Sequence, residues 1–146
     1  MRIVIDTNVV FSAILSSKGS INDILLNSEN IFEFYAPSFL IDELEKHRGK
    51  IMKVSRYSDA ELNYIQRILF KKIEFIDPEY IKNSIWQQAI KLTGDIDPAD
   101  SPFIALALEL DALLWTGDKK LMTGMINNNI DWVISTEVIK KIRDKE

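Results

Sequence analysis

The sequence contains no cysteine and a single histidine, and these two shortages narrow its chemistry at once. Disulfides and thiolate metal sites are excluded, as is a zinc site built from several imidazoles. Any metal must therefore be held by oxygen. With only four prolines and five glycines among 146 residues, no Pro-, Gly- or Ser-rich linker divides the chain, and it holds no repeat, low-complexity tract or long like-charge run. Long apolar runs are missing too. The opening MRIVIDTNVVFSAIL is interrupted by an aspartate and an asparagine before it reaches signal-peptide or membrane length. The expectation is a cytoplasmic protein without a membrane partner.

An excess of positive charge is also lacking. The formal net charge is -4, which speaks against a protein that grips nucleic acid through an extended basic surface. Basic residues do cluster locally, at Lys46, His47, Arg48, Lys50 and Lys53 and again at Lys119 and Lys120. What is present is an ordinary balance, 47% hydrophobic and 27% charged. At this length one domain spanning residues 1–146 hides roughly 68–70% of the surface its unfolded chain exposes, enough for one core without staples.

Five short segments rich in β-branched or aromatic residues read as strands: Arg2 to Ile5, Ile31 to Tyr35, Ile73 to Ile76, Ala112 to Trp115 and Asp131 to Ile134. Helical patterns separate most of them. Ser58 with Glu61 forms a capping box ahead of a helix through Leu62, Ile65 and Leu69, and Asp77-Pro78 opens another that Gly94 closes. Phe103 to Leu110, FIALALEL, is apolar on almost every side and belongs between the sheet and other helices. Pro102 is tolerated only in the first turn, so Asp100 falls at the N-cap or just before it. Strands alternating with helices predict a three-layer α/β/α sandwich around a parallel sheet of about five strands.

In such a sheet, ligands bind beyond the carboxyl ends of the strands, where adjacent crossovers leave a crevice. Asp6 follows the first strand, Asp118 follows the fourth, Asp100 heads the inner helix, and Glu43 lies on the helix after the second strand. Four acids remote in sequence can thus meet. Gathered carboxylates repel one another unless some protonate or a hard dication resolves the repulsion. Oxygen-only ligation suits one or two Mg²⁺ or Mn²⁺ ions, and a pair of such ions can activate water and steady the leaving oxygen of a phosphodiester.

The pieces IDTNVVFSAIL, PSFLIDELEK, DPADSPFIALALELDA and LLWTGDKKL, in that order and at these separations, resemble the PIN-domain nucleases, including the VapC-type toxins of toxin-antitoxin pairs. The resemblance covers about the first four fifths of the chain. It implies a PIN-like fold, metal-dependent endonucleolytic cleavage of RNA, and control by an antitoxin partner. It makes Asp6, Glu43, Asp100 and Asp118 the catalytic metal ligands and Asp97 an auxiliary acid. Thr7, Asn8 and Thr116 match positions whose side chains support the pocket by hydrogen bonds. Arg48, Lys50, Lys53 and Lys119 become the candidates for contact with RNA, together with Arg56.

Plainer roles compete for several of these residues. Asp100 and Asp118 can each cap the helix that follows, Asp97 can serve the turn before Pro98, and Asp42 and Glu45 flank Glu43 on the same helix. His47, among Lys46, Arg48 and Lys50, reads as a surface histidine, and Trp86, Trp115 and Trp132 read as core. The apolar Ile21, Ile24, Leu25 and Leu26 serve the core, a homodimer or an antitoxin surface equally well. Two rival functions fit the same shape. One is a non-catalytic PIN-fold binding protein. The other is a phosphoryl-transfer or receiver domain, but Asn8 stands where a dehalogenase-type phosphatase wants a second aspartate, and Ser135-Thr136 follows the fifth strand where a receiver wants lysine.

Overall fold

The computed structural model describes residues 1–94 and 96–145. Five strands form one sheet: β1 (Arg2–Ile5), β2 (Glu33–Pro37), β3 (Ile73–Ile76), β4 (Leu113–Trp115) and β5 (Val133–Ile134). Every neighbouring pair is parallel, and the order across the sheet is β3-β2-β1-β4-β5. Ile3, Val4 and Ile5 of the central strand are wholly buried, because a parallel strand covered by helices on both faces has no solvent side.

Two helices, α1 (Thr7–Leu15) and α2 (Ser20–Asn27), join β1 to β2. Three more, α3 (Phe39–Lys46), α4 (Arg48–Ser55) and α5 (Asp59–Phe70), join β2 to β3. The return from β3 to β4 carries α6 (Asn83–Thr93) and α7 (Ser101–Leu110), α8 (Lys119–Asn127) joins β4 to β5, and α9 (Thr136–Lys145) follows. The chain steps one way from β1 through β3 and the opposite way from β1 through β5. Right-handed crossovers then put α1 to α5 on one face and α6 to α8 on the other, a three-layer α/β/α sandwich. Among the described residues no single helix is long and apolar enough to cross a membrane.

The apolar FIALALEL helix lies where its composition places it. α7 packs on β1, β2, β4 and α6, with Phe103 to Ala107 all buried. The capping box at Ser58 and Glu61 is complete in both directions. In α2, Ile24 and Leu25 are fully buried and Ile21 and Leu26 pack partly against the core, so the apolar face of this helix is largely spent inside the chain.

Four boundaries differ from expectation, the smallest being β4, which begins at Leu113 and leaves Ala112 outside. β2 begins at Glu33 because Ile31 and Phe32 turn back to donate to the Ser28 carbonyl. β5 is only Val133–Ile134, without Asp131 and Trp132. The segment opened by Asp77-Pro78 is a single 3₁₀ turn, Pro78–Tyr80, after which the chain extends and α6 starts at Asn83. Asp77 caps that turn through Glu79 N–H, a short local structure with the same signal as a longer helix.

Candidate active site

β1 and β4 are neighbours in register, with Ile5 opposite Trp115, so Asp6 and the Thr116-Gly117-Asp118 loop leave the sheet side by side. The chain then departs in opposite directions from these two strands, which is the topological switch at which open α/β sheets form their crevice. The crevice here has a volume of about 350 Å³. Four carboxylates line it, those of Asp6, Glu43, Asp100 and Asp118, together with the rings of Phe11, Phe39 and Phe103. Phe39 and Phe103 come from opposite helical layers and meet edge-on at 5.5 Å.

Asp6 is buried and held at both oxygens. Its Oδ1 accepts from Thr7 N–H at 2.7 Å, and its Oδ2 accepts from the Thr116 hydroxyl at 2.6 Å. The same hydroxyl oxygen accepts the Asp118 N–H at 3.0 Å, and the Asn8 side-chain carbonyl accepts Gly117 N–H at 3.2 Å. The loop after β4 is thereby fastened to the start of α1. Thr116 and Asn8 act through their side chains, but Thr7 serves Asp6 through its backbone N–H and not its hydroxyl, because Asp6 is the N-cap of α1. That corrects the side-chain role expected of Thr7.

Asp100 and Asp118 separate on the question of capping. Asp118 has extended backbone, and its Oδ1 accepts from Lys120 N–H and Leu121 N–H, so it caps α8 while also lining the crevice. Asp100 precedes α7 but makes no capping bond. Residues Pro98–Asp100 already form a 3₁₀ turn, which leaves Asp100 in helical backbone from which a carboxylate cannot swing to the following N–H groups. Its Oδ2 is buried with no hydrogen-bond partner among the described residues.

That turn also fixes Asp97. Its Oδ1 accepts Ala99 N–H at 3.0 Å and caps the turn; the side chain is exposed and outside the crevice lining. Asp97 thus stands apart from the other four acids as the side chains lie, although its charge is felt at Asp100. Glu43 does reach the crevice, half-exposed, with its Oε2 3.8 Å from His47 Nε2. Asp42 and Glu45 are exposed.

Of the basic candidates, Arg48 is diverted. Its guanidinium donates to Asp59 Oδ1 at 3.1 Å and to the Asp59 carbonyl at 3.2 Å, pinning α4 to the start of α5. Lys50, Lys53, Arg56 and Lys119 are exposed. Lys120, singled out only as part of a basic pair, is the cation whose field reaches Asp100. Phe39 and Phe103 were also legible only in retrospect: Phe39 stands four residues before Glu43 and Phe103 three after Asp100, the spacings that put two side chains on one helical face.

The charges strain against one another. Burial raises the Asp6 carboxyl above its usual range; hydrogen bonds from Thr116 and Thr7 oppose this, and the Asp118 charge adds to it. Asp100 is pushed up to about 7 by burial first, then by Asp6, Asp97 and Asp118, with Lys120 opposing. A buried acceptor without a donor, amid like charges, fits a hard dication bound through oxygen. As the side chains lie, however, no three acids or imidazoles among the described residues are drawn together closely enough to ligate one ion.

An open parallel sheet with an acidic crevice at its switch point defines the class to which this chain is assigned by sequence as well. The PIN domain model matches residues 4–138, and the chain belongs to the PIN-domain family. No curated protein sequence matches the chain. Among solved structures it is similar to VapBC2 from Rickettsia felis, crystallised bound to a DNA fragment from their promoter. The two share 17% sequence identity and a TM-score of 0.66 over 92% of this chain and 97% of that one. At that identity the likeness is one of fold.

Proposed function

We propose that the chain is a metal-dependent endoribonuclease that hydrolyses RNA phosphodiester bonds in the crevice between β1 and β4. The observation that carries the reading is the half-buried Asp100 carboxylate, whose Oδ2 is buried without a partner among the described residues and faces the charges of Asp6 and Asp118. Such a group is costly in an apo protein unless a cation completes it. Membership of the PIN-domain family and the absence of cysteine with a single histidine point the same way, to oxygen ligands and Mg²⁺ or Mn²⁺.

Asp6, Glu43, Asp100 and Asp118 would hold one or two ions, and Asp6 is the pre-set member, since Thr116 and Thr7 fix both of its oxygens. Because the acids do not form a closed ligand set as their side chains lie, Glu43, Asp100 and Asp118 would have to change rotamer to join Asp6 on an ion. A bound dication lowers the pKa of attacking water and neutralises charge on the phosphate. Asn8 and Thr116 hold the β4 loop against α1 and so keep Asp118 beside Asp6. Phe39 and Phe103 wall one side against water. Lys50, Lys53, Lys119 and Lys120 would meet the flanking phosphates, which position a strand without reading its sequence.

Incubation of the purified protein with single-stranded and structured RNA, with Mg²⁺ or Mn²⁺ and with EDTA, tests the reading. Cleavage that needs the metal and is lost in Asp6→Asn is the expected result. No cleavage by the folded protein would favour the non-catalytic PIN-fold alternative, and cleavage that persists in EDTA would overturn the metal-dependent reading. The fold-level likeness to VapBC2, together with the VapC-like motif order, supports the proposal of a toxin held silent by an antitoxin; a cytoplasmic location and a homodimer are proposed with it. Co-purification of a small protein encoded alongside this chain, with loss of RNA cleavage in the complex, would support that assignment.

A further inference from the structure

A second hollow, of about 240 Å³, opens beside the acidic crevice, lined by Phe11, Leu15, His47, Lys50, Ile51 and Val54. Phe11 lines both, so the two spaces meet at one ring. The hollow is apolar within a basic stretch of surface, and Leu15 and Val54 are 39% and 63% exposed. The Phe11 and His47 rings stand edge-on, 5.9 Å apart at 68°, forming a corner of two π surfaces. Glu43 faces the crevice and His47, one helical turn further, faces the hollow. Four residues of helix rise about 6 Å, a step that one nucleotide of an unstacked strand spans.

We propose that this hollow is a nucleobase subsite, taking the base of a nucleotide adjacent to the scissile phosphate of single-stranded RNA, with Lys50 on its phosphate. The inference rests on the nuclease reading and adds a subsite that makes the substrate unpaired and sets base preference.

Size favours this occupant. Pockets for drug-sized ligands run to about 300–1,000 Å³, and a smaller hollow suits one heterocycle. Chemistry favours it as well. Every base presents a π face to aromatic side chains, and only an unstacked base can be splayed into such a corner. A crevice lined with carboxylates in a chain of net charge -4 repels phosphate until metal is bound, so affinity for RNA has to come from neutral stacking and a few lysines.

His47 is the chain's single histidine, so its ring protons give an isolated NMR signal at the hollow. Asp6→Asn protein, kept in EDTA so that nothing is cleaved, is titrated with a short single-stranded RNA and with the same RNA made abasic at one position at a time. The expected result is a shift of the His47 resonances by intact RNA, lost when one particular base is removed and lost in Val54→Trp, which fills the hollow from its exposed lip. In the active protein with Mn²⁺, removal of that base raises KM roughly 5- to 100-fold, while Val54→Trp has a raised KM that no longer depends on it. Cleavage of RNA without any His47 shift, or shifts that ignore the abasic position, overturns the subsite and leaves the nuclease standing. Base-dependent shifts without metal-dependent cleavage retain the subsite and overturn the nuclease. Shifts produced by a bound partner protein but not by RNA assign the hollow to that partner and overturn the proposal.

Discussion

Thr116 and Asp6, 110 residues apart, are joined by a hydrogen bond of 2.6 Å from the Thr116 hydroxyl to Asp6 Oδ2. Because the same hydroxyl oxygen accepts Asp118 N–H, one side chain holds the first and last acids of the crevice in a fixed relation. The bond exists because β1 and β4 pair with Ile5 opposite Trp115, so that the residue after each strand faces its counterpart.

Thr116→Val keeps the shape of the side chain and removes both bonds. It leaves a buried carboxylate oxygen and an N–H without partners, a loss of about 1–3 kcal/mol that urea denaturation would register. Metal-dependent cleavage should fall as well, and Thr116→Ser, which restores the hydroxyl, should recover most of both losses. Unchanged stability in the valine variant would show that Asp6 is not held as described.

Asp100 gives a pH signature in the metal-free protein. Its folded pKa is about 7, against an ordinary 3.8, so the folded state binds the extra proton between those values and stability falls as pH rises through that window. The stabilisation is fully present below about pH 4 and gone above about pH 7. Partial solvent exposure reduces the effect, and about 1–2 kcal/mol is expected. Asp100→Asn should flatten the profile, matching wild type near pH 4 and exceeding it near pH 8 when unfolding is followed in EDTA. A variant less stable than wild type at pH 8 would make Asp100 a structural residue.

Much of this arrangement was legible in the sequence because it rests on local rules. The all-apolar FIALALEL had to be an inner helix, and a parallel sheet had to leave its crevice at the strand ends; Asp6 and Asp118 followed from those two facts. The failures share a different cause. Asp97 and Asp77 both precede proline, and a short 3₁₀ turn satisfies that signal as well as a helix or a ligand does. Arg48 was lost to Asp59, a contact set by how α4 meets α5, and such a pairing leaves no trace in spacing or composition. The apolar hollow at Phe11 and His47 was equally hidden, since it joins two helices that are not consecutive in the chain.

Arg48 accordingly tests the division between scaffold and substrate contact. With the side chain 18% exposed and bound to an exposed carboxylate, Arg48→Ala should cost about 0.5–1 kcal/mol in a denaturation curve and leave the KM for RNA as it was. Lys50→Ala should do the reverse, raising KM while the unfolding midpoint stays put. A KM effect at Arg48 equal to that at Lys50 would return the guanidinium to the substrate path.

Metal binding separates the crevice acids from their neighbour Asp97 without any assay of cleavage. If the folded protein binds Mn²⁺ and the unfolded chain does not, metal at one hundred times its Kd stabilises by about 2.7 kcal/mol, which for a chain of this size raises Tm by roughly 5–10 °C. Asp6→Asn and Asp100→Asn should abolish that rise, since one removes the pre-set carboxylate and the other the unpartnered one. Asp97→Asn should keep most of it, because an asparagine oxygen still accepts Ala99 N–H and the side chain lies outside the crevice. Equal loss of the metal-induced rise in all three variants would put Asp97 among the ligands; no rise in the wild-type protein would remove the cation from the crevice altogether.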